Sequence, residues 1–409
     1  MPLCRLLVLA TTVLLLLVGV AGTGGVGGAA EATGGSRAPE RTAPSVNWQQ
    51  VDSGGEHSCA RKTSGRLLCW GGNFYGVLGN GGSGADADRT APVAVAGDVA
   101  QWATVSAGSV HTCAVSVDGH LFCWGDNFYG TLGIGAVTPP QPLPVEVDGS
   151  HDDWSAVSAG GAHTCGLRDS GHLYCWGLDF SGQLGDGPGG DGESPVPVEV
   201  AGGISDWAAI SAGNDHTCGL RDSGQLYCWG RNRHGQLGDD STAGRDAPVE
   251  VAGAATDWVA VSAGLRHTCG LKTSGQLFCW GSDSRGRLGN GGATTDDQLA
   301  PAEVAGSATD WAEVSAGVSV TCARKTSGRL YCWGSDADGR LGNGGANVDR
   351  ARPVEVAGAV TGWREVSVGS FHACARKATG RVFCWGRDRD GQLGNGEPRR
   401  YQDVPVAVT

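Results

Sequence analysis

The sequence predicts an all-β fold, a seven-bladed β-propeller with blades mostly of four antiparallel strands. Three observations carry this expectation. One cysteine-bearing unit recurs seven times, with first cysteines at Cys59, Cys113, Cys165, Cys218, Cys269, Cys322 and Cys374. A second cysteine follows ten residues later in every copy, at Cys69, Cys123, Cys175, Cys228, Cys279, Cys332 and Cys384. The copies lie 51 to 54 residues apart and contain strand and turn signals but no helical periodicity, the signature of one propeller blade per repeat. A chain of 409 residues would otherwise suggest two or three domains, but seven such units form one closed ring.

From the N-terminus, residues 1–21 read as a signal peptide. Arg5 supplies a positive start, an apolar run extends from Leu6 to Val20, and Gly19-Val20-Ala21 offers small residues for cleavage. The run is short for a membrane span, which needs about 20 apolar residues, and an uncleaved anchor is the alternative. Residues 22–46, rich in Gly and Ala, read as a flexible linker, and residues 47–409 as the propeller. No later stretch is apolar enough to cross a membrane. The 71 glycines suit a chain built from turns, and 14 tryptophans, two per copy, supply inter-blade packing. With 30 basic and 42 acidic residues the net charge is −12, which argues against general nucleic-acid binding.

The fourth copy shows how one blade is built. Trp207 to Ser211 forms a first strand, His216 to Leu220 a second, Leu226 to Trp229 a third, and Pro248 to Val251 a fourth. The three-residue turn Asp222-Ser223-Gly224 pairs Arg221 with Gln225, and counting outward puts Cys218 opposite Cys228. Facing residues in a non-hydrogen-bonded pair approach to about 4.5 Å between Cα atoms, within disulfide reach. The count holds in all seven copies, so the fourteen repeat cysteines form seven intrablade disulfides. Export and even pairing favour disulfides. Zinc pairs are usually two to four residues apart, unlike the ten-residue spacing here.

The segments Ala-Gly-x-x-His-Thr, Gly-x-Leu-Tyr-Cys-Trp-Gly and Gly-Gln-Leu-Gly, as at Ala212 to Thr217 and Gly235 to Gly238, resemble the regulator-of-chromosome-condensation repeat family over about residues 47–409. The resemblance implies the seven-bladed propeller and says little about activity, since one fold hosts unrelated functions. Family members include a nuclear guanine-nucleotide exchange factor, a plant ultraviolet photoreceptor and secreted β-lactamase inhibitor proteins. A signal peptide and disulfides do not suit the nuclear member. The photoreceptor has Trp just before the His-Thr pair in some blades, whereas Glu56, Val110, Ala162, Asp215, Arg266, Ser319 and Phe371 stand here, which argues against a tryptophan light sensor. The secreted inhibitors share compartment and fold.

Six copies carry His at one position, His57, His111, His163, His216, His267 and His372, with Val320 in the sixth copy. A ring of imidazoles suits metal in principle, but repetition with one blade exempt reads as a structural histidine bonded within each blade. Asp336-Ala337-Asp338-Gly339 and Asp388-Arg389-Asp390-Gly391 loosely resemble calcium loops but lack a full ligand set, so no metal and no cofactor are expected. No nucleophile, base and orienting group stand out, and the chain does not read as an enzyme.

Strand alternation puts the insert before each His and the insert after each Trp-Gly on one face of the ring, where the copies differ most. Copies one to three bring Phe74, Tyr75, Phe128, Tyr129 and Phe180. Later copies bring Arg231, Arg233, His234, Arg266, Arg285, Arg387 and Arg389, with Asp283, Asp336, Asp338, Asp388 and Asp390. Aromatics beside arginines are typical anchors of a recognition surface. The opposite, hairpin-turn face carries a basic arc of Arg61, Lys62, Arg66, Arg324, Lys325, Arg329, Arg376, Lys377 and Arg381, a second candidate, for an acidic glycan or surface. The expectation is a secreted or extracytoplasmic monomer that binds or inhibits a protein (or glycan) partner through loops on one face. An exchange-factor-like regulator is the alternative by resemblance, and an enzyme with an unrecognised site the second.

Overall fold

The computed structural model describes residues 47–188, 192–292, 296–345, 347–358, 361–397 and 401–409. The expected signal peptide and linker lie outside them. Seven four-stranded antiparallel sheets follow one another, each made from one repeat with its strands in sequence order. In the fourth blade the strands are Trp207–Ala212, His216–Arg221, Leu226–Gly230 and Arg245–Glu250. The first strand of each blade is innermost, and strand ends such as Ser53, Ala107 and Ala159 line the central channel. Among the described residues there is no α-helix, only 3-10 turns at Ser284–Gly286 and Ala337–Gly339, and no helix long and apolar enough to cross a membrane.

The hairpin register is the one the turn chemistry dictates. The Gly224 N–H donates to the Arg221 carbonyl over 2.9 Å, and Gly224 takes φ +77°, the conformation a three-residue turn asks of glycine. Cys218 therefore faces Cys228. All seven bridges form within their blades, with Cα–Cα distances of 4.0 or 4.1 Å.

The outer strand differs from the expectation: it starts three residues before Pro248, at Arg245, and ends at Glu250 rather than Val251. The register shifts here: Cys228 pairs with Val249 and Gly230 with Arg245, so the outer strand carries two extra residues opposite Trp229.

Each blade then buries its disulfide face against the tryptophan face of the next. Cys59, Leu67, Cys69 and Leu78 of the first blade pack on Trp102, Val105 and Trp124 of the second. Cys374, Val382 and Cys384 of the seventh pack on Trp48, Val51 and Trp70 of the first, so the ring closes by the same contact. The first and last strands, Trp48–Ser53 and Gln402–Ala407, sit in adjacent blades rather than sharing one sheet, and the Trp48 N–H donates to the Gly380 carbonyl over 2.9 Å.

The Gly-x-Leu-Gly segment of every blade reaches over its neighbour. The Val77 carbonyl accepts from Trp124 Nε1 at 2.8 Å and from Thr112 Oγ1 at 2.9 Å. At the closing seam the Gln392 carbonyl accepts from Trp70 Nε1 at 2.9 Å and Ser58 Oγ at 3.0 Å. The segment's last residue must be glycine: a Cβ on Gly79 would lie 2.7 Å from Trp124 Nε1.

The repeated histidines complete this clamp. His57 Nε2 lies 2.8 Å from Thr112 Oγ1 of the next blade, and the same bond joins His111 to Thr164 (2.7 Å), His163 to Thr217, His216 to Thr268 and His267 to Thr321 (2.8 Å each). His372 closes the ring on Ser58 Oγ at 2.7 Å. Each hydroxyl already donates to a backbone carbonyl, so it accepts from the imidazole, which fixes the neutral tautomer with its proton on Nε2. Burial pushes His57, His163 and His372 down to about 3 and His111 and His216 to about 4. At the sixth seam both partners are replaced together, and Val320 and Ala373 meet in one apolar cluster. The histidines are thus structural, and their bonds run between blades rather than within one.

Candidate functional site

The channel is nearly shut at the insert end. Seven glycines, Gly54 to Gly369, follow the first strands, and a Cβ on any of them would come within 2.8 Å or less of the next glycine's carbonyl oxygen. Only about 90 Å³ is left within this constriction. Chemistry on this face therefore belongs to the inserts around the mouth.

Across the first three blades the inserts build an aromatic ridge. Phe74 is 63% exposed, Phe128 70% and Phe180 73%. Phe74 meets Tyr75 edge-on at 5.0 Å, Phe128 meets Tyr129 at 6.2 Å, and Tyr129 reaches Phe180 at 6.4 Å. All five aromatics singled out in the sequence thus lie along this arc, three of them largely in water. The turn that presents them is rigid: Asn73 Oδ1 accepts from the Leu78 N–H at 2.9 Å, and its Nδ2 donates to the Gly82 carbonyl at 2.8 Å.

Beside the ridge a cleft of about 630 Å³ opens where the seventh, first and second blades meet, lined by Glu56, Phe74, Tyr75, Val110, Phe371 and Asp390 among others. Burial, then Asp390, raises the Glu56 carboxyl above its usual value, with Arg387 opposing. Phe371 lies under two guanidinium groups, Arg340 at 5.1 Å and Arg387 at 4.7 Å. In the fifth blade Arg287 is buried, donates to the Val318 carbonyl of the sixth at 2.9 Å, and is held below the usual arginine value by burial and then by Arg266. The sequence reading missed Arg287 and Arg340 because they occupy the Gln position of the repeated Gly-Gln-Leu-Gly segment, which reads as fold alone. Their departure from Gln was the available signal.

Part of the charge on this face turns inward. Asp283, Asp336 and Asp388 are buried, and each Oδ1 accepts a Leu N–H at 3.1 Å, the role Asn73 plays. The resemblance to calcium loops is thereby explained as a turn brace, and among the described residues no three metal-ligating side chains come together. Arg231 and Arg285 are ion-paired with Asp215 (3.0 Å) and Asp349 (3.2 Å), and His234 Nδ1 is hydrogen-bonded to Asp297 at 2.7 Å. Arg233 and Arg266 are exposed.

The basic arc on the hairpin face is largely occupied internally. Lys62, Lys325 and Lys377 lie over Trp48, Trp311 and Trp363 at 5.1, 5.0 and 4.7 Å. Arg324 and Arg376 pair with Glu313 and Glu365 at 2.9 Å, and Arg329 pairs with Glu355. Arg66 and Arg381 remain exposed.

Two models of the regulator of chromosome condensation (RCC1) repeat match the chain seven times each. One covers residues 48–77, 102–131, 154–183, 207–236, 258–287, 311–340 and 363–392. The other covers 64–115, 118–167, 170–220, 223–271, 274–324, 327–376 and 379–409. The chain belongs to the RCC1 repeat family. It is similar to the Arabidopsis thaliana ultraviolet-B receptor UVR8, 32% identical over 88% of this chain and 81% of the receptor. It is also 30% identical to the human E3 ubiquitin-protein ligase HERC2 over 83% of this chain, but spans only 7% of that protein. Among solved structures, human WBSCR16 superposes with a TM-score of 0.75 at 22% identity, covering 84% of this chain and 94% of that one. Yeast RCC1 (Prp20), crystallised with Kap60, superposes at 0.72 and 19% identity, covering 84% and 83%. At such identities the RCC1 likeness is one of fold.

Proposed function

We propose that this RCC1-repeat protein is an exported, non-enzymatic binding module that recognises a protein partner through the insert face of its ring. The aromatic ridge of Phe74, Tyr75, Phe128, Tyr129 and Phe180 carries the reading. Large aromatics held in water on braced turns bind with little ordering cost, and exposure of this extent on neighbouring blades has no folding benefit. The Arg-flanked Phe371 and the cleft at Glu56 and Asp390 give the same face polar anchors of both signs.

Export is supported by the apolar N-terminal run and by fourteen cysteines engaged in seven disulfides, which persist in oxidising compartments. The same pairing stands against a nuclear exchange-factor role. Fractionation followed by N-terminal sequencing tests this half: the mature protein starts near residue 22 outside the cytoplasm, whereas an intact N-terminus with free thiols in the cytoplasm refutes it. For the binding half, Tyr75→Ala and Tyr129→Ala each weaken partner binding by about 1–3 kcal/mol with an unchanged melting temperature. Unchanged affinity with a lowered melting temperature makes the aromatics packing residues.

A further inference from the structure

Six blades stack an aromatic of the third strand edge-on against the first-strand tryptophan; in four of them a cation from the same blade lies over the pair, and in a fifth Arg221 stands opposite Trp207 at the same position. Arg168 lies 5.6 Å from both Trp154 and Tyr174, Lys272 4.9 Å from Trp258, Lys325 5.0 Å from Trp311, and Lys377 4.7 Å from Trp363. In blades three to six the cation is also held by the aspartate before the tryptophan: Arg168 by Asp153, Arg221 by Asp206, Lys272 by Asp257 and Lys325 by Asp310, at 2.7 to 2.9 Å. The second blade keeps the aromatic pair, Trp102 and Phe122 at 5.6 Å, and lacks both partners. Ser116 stands at the cation position, with its hydroxyl bonded to the His120 carbonyl at 3.1 Å, and Gln101 stands at the aspartate position.

A groove of about 720 Å³ takes the cation's place on the hairpin-turn face. Phe122 lines it together with Val99, Val117 and Leu143, and Asp98 and Asp118 contribute the charge. Val117 is 61% exposed and Leu143 47%. We infer that this groove receives a lysine or arginine side chain presented by a partner polypeptide, which completes in trans the arrangement the other blades complete in cis. The apolar stem lies along Val117 and Leu143, as long cationic side chains lie on apolar surface. The charged head reaches the aromatic pair, attracted to the ring faces, with Asp98 and Asp118 supplying the carboxylates that Gln101 does not. The site lies on the face opposite the aromatic ridge and does not depend on the ridge being a binding surface.

The test uses the intact propeller with methyl-labelled valine and leucine and needs no natural partner. N-acetyl-arginine methylamide is titrated against its neutral isostere N-acetyl-citrulline methylamide while the Val117 and Leu143 methyl resonances are followed. The arginine compound shifts both and the citrulline compound leaves them in place at matched concentration. Ser116→Lys abolishes the shifts, because the chain's own lysine then occupies the groove, whereas Ser170→Lys, the same added charge on the next hairpin, preserves them. Should Ser116→Lys fold poorly, Asp98→Asn with Asp118→Asn weakens the arginine response several-fold without adding bulk. Equal shifts from arginine and citrulline, no shift from either, or equal loss in both lysine variants overturns the inference.

Discussion

Removing one hydroxyl from a blade seam should damage the protein more than removing the whole polar pair. Consider His216 and Thr268, with Nε2 and Oγ1 2.8 Å apart and both residues fully buried. Thr268→Ala leaves the imidazole N–H without its acceptor, which costs about 1–3 kcal/mol. His216→Val leaves no such orphan, since Thr268 Oγ1 still donates to the Gln236 carbonyl at 2.7 Å. The double variant His216→Val/Thr268→Ala recreates the chemistry of the sixth seam, Val320 against Ala373, and is more stable than Thr268→Ala alone. Acid adds a second signature. The folded-state value of His216 is about 4, lowered by burial from 6.5. A depressed histidine contributes stability that is complete above about pH 6.5 and declines as pH falls toward 4, because only the unfolded chain takes up the proton. At pH 5 that loss is about 2 kcal/mol for this one residue, and the double variant escapes it. Urea unfolding with disulfides intact, at pH 7.5 and 5.0, reads both effects. A double variant no better than Thr268→Ala, or one whose stability follows pH in parallel with the parent, refutes this reading of the His216–Thr268 clamp.

Three further outcomes follow from the ring. Peptide mapping without reduction recovers seven links, each joining cysteines ten residues apart, and a link between copies contradicts the hairpin register. Gly213→Ala puts a methyl 2.6 Å from the Gly264 carbonyl and costs about 1–3 kcal/mol in thermal unfolding, whereas Gly203→Ala, with nothing within 4 Å of its Cβ, leaves the ring packing intact despite its φ of +60°. Deleting residues 402–409 strips the outer strand Gln402–Ala407 from the seventh blade and lowers the melting temperature of the whole domain, and a truncated protein that melts like its parent shows the seventh blade to be dispensable to the ring.

The blade was readable because its information is local. Turn residues such as Asp222-Ser223-Gly224 set the register, and the register sets the disulfides. What escaped the sequence reading is what depends on the neighbouring blade. His57 and its partner Thr112 are 55 residues apart, and nothing near either announces the bond. The linked exchange of Val320 and Ala373 was the trace of it, visible only by comparing copies across a seam. Burial inverted part of the expected surface for the same reason: Asp283 and Asp388 vary in type between copies, yet they point inward to brace a turn. Phe74, Phe128 and Phe180, by contrast, stay largely exposed at the tips of their inserts.

Site-specific photo-crosslinking in the protein's native surroundings tests the insert face as the partner's docking site. Benzoylphenylalanine replaces Phe128 on the ridge in one variant and Val404, exposed on the outer strand of the seventh blade, in another. A partner docked on the insert face gives one discrete adduct from position 128, absent from position 404 and lost when Tyr129→Ala and Phe180→Ala are added. Adducts of equal yield from both positions, or an adduct from position 404 alone, contradict it.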